Sequence, residues 1–458
     1  MKRWISSAVL SACAATLPCH ADESLTLPKE EFEQMLGSYQ LVLKDYVGTA
    51  DSKKLLTEAI RGMLSSLDPH SRYLDKDDLE DLERIHSGAY VGIGVGVEML
   101  NGQVLVRDVA ENGPADKAGI RAGDSIVAID GAPLFGLRDN QIARRMHGEP
   151  GTSVEVTLAK RGNTPLRTLS IPRITMHENT VTVQRLEGNI ARIRITEFGG
   201  GTAAELVAAL RQLDGPRRVE GIVLDLRNNP GGLLPAAVAV AGAFLPQGAV
   251  VFSSTGRLPE SNSKVTVSPR FFGTPDTKVA YDQLPAFAQT VPLAVLVNGS
   301  SASAAELLAG AIQDHGRGKI VGARTYGKGS IQAVFPLSDE SAIKLTIARY
   351  FTPNGREVQA QGIEPDVEVA QAEHKDGDDN LLFREADMAN HLPASSVSAD
   401  AETRASERPV AEDSKVFGSA SDRALQAALA QLHPAAPSGQ ALGSVWRGIS
   451  ALFRTNDS

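Results

Sequence analysis

Two short segments carry residue types that could do chemistry together. The first is Asn298-Gly299-Ser300-Ser301-Ala302-Ser303-Ala304-Ala305-Glu306, and the second is Tyr326-Gly327-Lys328-Gly329-Ser330-Ile331-Gln332. Ser303 stands where an apolar run, Leu293 to Val297, gives way to a helical pattern from about Ala302 to Gln313. A helix start leaves backbone N–H groups unpaired and turns the positive end of its dipole toward the same spot, which favours a developing oxyanion. Lys328 lies 25 residues on, and Gln332 four beyond it in a stretch that reads as strand. An even spacing on a strand puts two side chains on one face. A lysine accepts a serine's proton only if its pKa falls from about 10.4 toward 7, a change of roughly 4 kcal/mol that burial with few anions can supply. A neutral amide such as that of Gln332 can orient the amine without restoring its charge. Taken singly, these residues are ordinary: serines at helix starts are usually caps, and lysines are usually solvated.

Strands and helices must hold that pair. From about 190 to 370 strand and helix patterns alternate, predicting an α/β core with a largely parallel sheet. Ile193 and Ile195 mark one strand, and Leu206, Val207, Leu210 and Leu213 mark a helix face. Ile222-Val223-Leu224 is continuously apolar, as in a strand buried on both faces. It leads through Asn228-Asn229-Pro230-Gly231-Gly232 into a helix predicted over Leu233 to Leu245. Near the N-terminus, Phe32, Met35, Leu36, Tyr39, Leu43 and Tyr46 recur at helical spacing, as do Leu56, Ile60, Leu64 and Leu67. Asp51 or Ser52 is placed to cap the second of these helices.

Residues 86 to 165 differ, with short β-rich runs broken by glycine. Gly92-Ile93-Gly94-Val95, then Ala118-Gly119-Ile120-Arg121-Ala122-Gly123-Asp124, then Ile129-Asp130-Gly131 resemble a PDZ domain. In such domains the glycine-loop amides bind a free C-terminal carboxylate while the peptide adds as a strand. The resemblance implies that Gly92, Ile93, Gly94 and Val95 form that loop.

Composition sets the outer limits. The 458 residues are 42% hydrophobic and 22% charged, enough for two or three folded domains. A net charge of -9 argues against nucleic acid. Lys2 and Arg3, the apolar stretch Trp4 to Leu17, and Cys19-His20-Ala21 read as an export signal over residues 1–21. Cleavage after Ala21 would remove Cys13 and Cys19, the chain's two cysteines, and with them thiol chemistry. Leu10-Ser11-Ala12-Cys13 also reads as a lipoprotein box, an alternative that would anchor the protein at Cys13. The expectation is a periplasmic or secreted protein with peripheral or no membrane association.

Rival chemistries are weaker. Gly322 to Lys328 fits the spacing of a phosphate loop, but Gly329 follows where serine or threonine is required, and a strand follows where a helix is required. His315 is the histidine nearest Ser303 in sequence, and Gly316 beside it marks a helix end. The nine histidines show no metal-binding spacing, so no metal or cofactor is expected.

Together the two motifs resemble those of the carboxyl-terminal processing proteases, also called tail-specific proteases. The likeness extends through Leu67-Asp68-Pro69-His70-Ser71, Asp225 to Gly232, Lys344 to Tyr350, and on to Pro365. It implies a crotonase-like α/β fold of ββα/βαβ units, Ser303 as nucleophile, Lys328 as base and Gln332 as its positioner. It implies an oxyanion hole from Ala304 and an amide of the Gly231-Gly232 turn. It also implies protein substrates with free C-terminal tails, control by an adaptor protein, and a homo-oligomer. Where the family often has serine and arginine, this chain has Ala305 and His147, so Arg145 is a candidate to couple the PDZ domain to the site. The rival class is a catalytically silent PDZ scaffold, which the joint presence of Ser303, Lys328 and Gln332 disfavours. The expected organisation is a helical region over 22–85, the PDZ domain over 86–165, the protease core over 166–370, and a partly disordered C-terminal linker over 371–458 with short helices at Asp422 to Leu432 and Ser444 to Arg454.

Overall fold

A computed structural model describes residues 28–432, apart from 101–102, 138, 160–165, 178, 216–218, 273–280, 370–383, 396–416 and 420. The export signal, the Cys13 alternative and a terminal helix expected over Ser444 to Arg454 lie outside the described residues. The chain divides into two units, residues 1–63 and 64–458. In the first, the helix Lys29–Asp45 is followed by one opening at Ser52, whose N-terminus is capped by Asp51 through the Lys54 N–H at 3.0 Å.

The second unit is built on a six-stranded sheet. Its order is Val181–Arg185, Ile190–Ile195, Gly221–Asp225, Leu293–Val297, Lys319–Gly322 and Val367–Glu368. The first pair is antiparallel and the others are parallel. Every residue of Gly221–Asp225 and Leu293–Val297 is buried, as the continuous apolar runs require. The helices Thr202–Leu213, Leu234–Phe244 and Ala304–Asp314 bury their apolar faces in the main core. The α/β core is therefore as expected.

An antiparallel sheet stands beside it. Ser341–Phe351 is its hub, pairing with Arg72–Leu74, Val250–Gly256 and Ser330–Ser338. The small β-domain pairs Val95–Leu100, Gln103–Val109, Ser125–Ile129, Ser153–Ala159 and Arg167–Pro172 around its own core. That last strand lies beyond the boundary expected at 165. An antiparallel ribbon, Ala89–Gly92 with Ile174–His177, leads in and out of the domain.

The C-terminal region, expected as linker with short helices, is partly built into the body, and the helix expected from Asp422 lies at Arg423–Leu432. The 3-10 turn Glu385–Asp387 buries Glu385, and the helix Arg423–Leu432 covers the other face of the parallel sheet through Ala424, Leu425, Ala428 and Leu432. The apolar positions of that helix find partners in Val223, Ala294, Leu296 and Val321. Among the described residues, no helix is long and apolar enough to cross a membrane.

Candidate active site

Ser303 caps the helix Ala304–Asp314 in a backbone conformation rare for a residue with a side chain, φ 54° and ψ -113°. Such conformations persist where surrounding contacts over-determine them. Here the contacts come from the turn Asn228–Gly232. Asn229 O accepts the Ala302 N–H at 2.9 Å, and Asn228 and Asn298 exchange two hydrogen bonds, at 3.0 and 2.7 Å. A Cβ at Gly231, which has φ +103°, would stand 2.8 Å from Ser303 Cβ and 3.0 Å from Ala304 N, so only glycine lets the turn approach.

The two candidate oxyanion donors of that turn are not equivalent. Gly231 N–H is committed to Asn229 Oδ1 at 2.8 Å, so it is not free for an oxyanion. Among the described residues Ala304 N–H and Gly232 N–H donate to no protein acceptor. Gly232 is pinned where it stands by the Phe198 backbone, which lies 2.3 Å from the position a Cβ would take.

Lys328 is held to Ser303 by two groups that sequence reasoning did not assign. Glu306, fully buried, accepts Ser303 N–H at 2.7 Å and Lys328 N–H at 2.9 Å on Oε2. Its Oε1 accepts Gly327 N–H at 2.7 Å and the Thr325 hydroxyl at 2.5 Å. Burial lifts the Glu306 carboxyl to about 7, against the opposing pull of these four hydrogen bonds. From the other side the Tyr350 hydroxyl lies 2.9 Å from Ser303 O and 2.7 Å from Lys328 O, sharing one proton between them. Burial raises that phenol well above its ordinary range, so it remains a donor. One carboxylate thus grips the backbone N–H of both residues, and one phenol grips both carbonyls.

Burial pushes the Lys328 amine below its ordinary pKa, with the carboxylates of Glu385, Glu306 and Asp68 pulling the other way. Lys344 is depressed to about 8 by burial and by the charges of Lys328 and Arg72. The surroundings thus make the neutral form of Lys328 easier to reach than in water. Among the described residues no hydrogen bond joins the Ser303 hydroxyl to the Lys328 amine, and such bonds often tighten only with substrate.

Among the described residues no hydrogen bond joins Gln332 to Lys328. The Gln332 amide Nε2 donates to Ser330 Oγ at 2.9 Å and Thr346 Oγ1 at 3.3 Å. Two features take Lys328 and Gln332 out of a common strand register. Lys328 precedes the strand, which opens at Ser330, and the register shifts between Ile331 and Gln332. Thr346 Oγ1 in turn donates to Asp68 Oδ1 at 3.0 Å, so Gln332 belongs to the network of the Asp68-Pro69-His70-Ser71 turn.

His315 ends the helix, its Nε2 2.7 Å from Val250 O, and takes no part at Ser303. Among the described residues no cluster of three metal-ligating side chains occurs.

In the small β-domain Ile93 is buried, its carbonyl accepts Ala115 N–H at 3.0 Å, and Gly94 has φ +78°. Among the described residues the Ile93 and Gly94 N–H groups donate to no protein acceptor. Gly92 lies beside the Tyr90 ring and His147, whose rings are 5.5 Å apart, and Val95 opens the strand that pairs with Val109. Arg145 stays within the domain on Pro133 O, whereas Arg144 reaches Asp77 at 3.3 Å and Asp81 at 2.5 Å on the helix Lys76–Ser87. Of these two arginines, Arg144 is therefore the one that reaches the body.

These motifs match known families in the same places. Residues 189–369 match peptidase family S41, residues 91–171 the PDZ domain, and residues 4–78 the N-terminal domain of the activating protease CtpB. The chain is 38% identical over 336 residues to a carboxy-terminal-processing protease of Bartonella bacilliformis, covering 73% of this chain and 74% of that protein. The chain belongs to the carboxy-terminal processing proteases. It is a serine-type peptidase with a PDZ domain. The carboxy-terminal processing protease CtpB of Bacillus subtilis is 32% identical over 368 residues, covering 80% of this chain and 72% of that one. Among solved structures, the photosystem II D1 C-terminal processing protease is 31% identical, with a TM-score of 0.42 and coverage of 74% of this chain and 93% of that one.

Proposed function

We propose that this peptidase is an exported Ser–Lys endopeptidase that captures the free C-terminal tails of cell-envelope proteins through its PDZ domain and cleaves them at Ser303. The observation that carries the reading is the double grip of Glu306 and Tyr350 on the backbones of Ser303 and Lys328, which keeps the two residues together. Neutral Lys328 takes the Ser303 Oγ proton as Oγ attacks the peptide carbonyl. The tetrahedral oxyanion forms against Ala304 N–H and Gly232 N–H at the helix start. The C–N bond then breaks and the Lys328 ammonium returns its proton to the leaving amine. Water, deprotonated by the lysine, hydrolyses the Ser303 ester and restores both groups.

Export rests on residues 1–21, with cleavage after Ala21 and lipidation of Cys13 as the alternative. Capture of the tail rests on the Ile93 and Gly94 amides, and an adaptor or a homo-oligomer would act through the PDZ domain's attachment to the body. The test is cleavage of a disordered polypeptide with an apolar C-terminal tail by the wild type, Ser303→Ala and Lys328→Ala. The reading predicts cleavage by the wild type alone. Turnover by either variant at the wild-type rate contradicts it.

A further inference from the structure

The peptidase family match ends at residue 369, yet a later piece of chain reaches the loop that carries Lys328. Glu385, in the turn Glu385–Asp387, is completely buried, and its contacts bracket the lysine on both sides. Its N–H donates to Tyr326 O at 3.2 Å, two residues before Lys328. Its Oε1 accepts from Gln359 Nε2 at 2.9 Å, and Gln359 Oε1 accepts the Gly329 N–H at 3.0 Å, one residue after Lys328. The Tyr326 hydroxyl donates to Met388 Sδ at 2.9 Å, so the same segment holds the loop a second time.

The remaining face of the carboxylate is closed by His70, whose Nε2 lies 2.7 Å from Oε2 and 3.0 Å from Oε1. Carboxylate oxygens only accept, so Nε2 carries the proton. His70 is itself fixed by its backbone N–H on Asp68 Oδ1 at 2.8 Å. The charged groups facing Lys328 are Glu385, Glu306 and Asp68, with Arg72 and Lys344 opposing them.

We infer that Glu385 is a positioning residue for Lys328, fixing the loop 326–329 from the C-terminal segment while His70 and Gln359 bind the carboxylate. The inference rests on the reading of Lys328 as the base. It has two separable consequences. Losing the side chain releases Gln359, which holds the loop at Gly329, while the residue 385 N–H still holds Tyr326 O. Losing only its charge removes an anion from the field of the lysine, which makes the neutral amine easier to reach.

The experiment is the pH dependence of kcat/KM for wild type, Glu385→Gln, Glu385→Ala and Lys328→Ala, with PDZ peptide binding as a control of folding. Glutamine keeps the shape and an oxygen for Gln359. Its acid limb should move to lower pH by about half a unit or more. Alanine should lower kcat about tenfold or more with KM little changed. Lys328→Ala should be inactive. An acid limb of Glu385→Gln that superimposes on wild type, or moves to higher pH, beside an inactive Lys328→Ala overturns the role of Glu385 alone. A loss of kcat in Glu385→Gln without a shift does the same, since a purely structural contact would act that way. An active Lys328→Ala overturns the reading of the base and the inference with it.

Discussion

Replacing Tyr350 by phenylalanine removes one oxygen atom and tests the grip on the dyad with little change of shape. The two carbonyls it serves are not equally exposed to the loss. Ser303 O retains the Leu307 N–H at 3.0 Å, the first turn of its helix. Lys328 O is hydrogen-bonded to Tyr350 alone among the described residues. A buried carbonyl left unpaired costs about 1–3 kcal/mol. The loss should fall on the lysine loop, while Glu306 still holds the Lys328 N–H. If that energy sets the position of the base, kcat falls about fivefold to a hundredfold, and the melting temperature falls by a few degrees. KM and peptide binding to the PDZ domain, which is remote from Tyr350 in sequence, stay near wild type. Steady-state kinetics on a tailed polypeptide, a thermal melt and a peptide-binding titration read all four quantities. A variant with wild-type kcat and melting temperature would refute the idea that the phenol holds the pair.

Glu306→Gln sets an amide NH2 among backbone donors, because three of the four groups on the carboxylate are N–H. It should destabilise the protein by about 1–3 kcal/mol and abolish most turnover, as read by melts and kinetics. The same pair of proteins tests the titration. The Glu306 carboxyl is raised to about 7, so its proton stabilises the fold fully below the ordinary carboxylate range, and that contribution is lost as pH rises through about 7. The stability gap between wild type and Glu306→Gln should therefore shrink from pH 5 to pH 8 in thermal melts.

Asp422→Ala breaks a buried two-point contact, since Arg227 donates to Asp422 Oδ1 and Oδ2 at 2.8 Å each and stacks on Phe417 with Asp225 on its other side. It should cost about 3 kcal/mol in a denaturant melt. It should also lower kcat, because Arg227 directly precedes the turn that carries Gly231 and Gly232. A C-terminally amidated peptide should bind the PDZ domain at least about tenfold more weakly than the free acid in fluorescence anisotropy, since the Ile93 and Gly94 amides would lose their anion.

Ser303, Ala304 and the turn at Gly231 and Gly232 were legible because their chemistry is local: a strand, a glycine turn and a helix start follow one another in sequence. Lys328 was legible by its spacing from Ser303, but the face it shares was not. For Gln332 strand parity was no guide, because it holds only inside a regular strand, and here the strand opens after Lys328 and contains a register shift. Glu306 was visible as a residue without a job, since four donors spread over residues 303 to 328 converge on it only after folding. Tyr350 and Glu385 contribute across 22 to 315 residues of sequence, beyond any periodicity. In the C-terminal segment a short helix from Asp422 to Leu432 was legible and lies at Arg423–Leu432, whereas the packing of the segment was hidden for a compositional reason. Its acidic and alanine-rich stretches conceal two short pieces, around Glu385 and from Phe417 to Leu432, whose few apolar and charged residues are buried against the core.

The central claim is that the peptide's acyl group passes through Ser303. Rapid quenching of the wild-type enzyme during turnover of a tailed polypeptide, followed by peptide mapping in a mass spectrometer, measures this directly. The account predicts an ester on the peptide that contains Ser303, absent when that residue is alanine and strongly reduced in Lys328→Ala. An adduct on any other residue, or full turnover by Ser303→Ala, would contradict it.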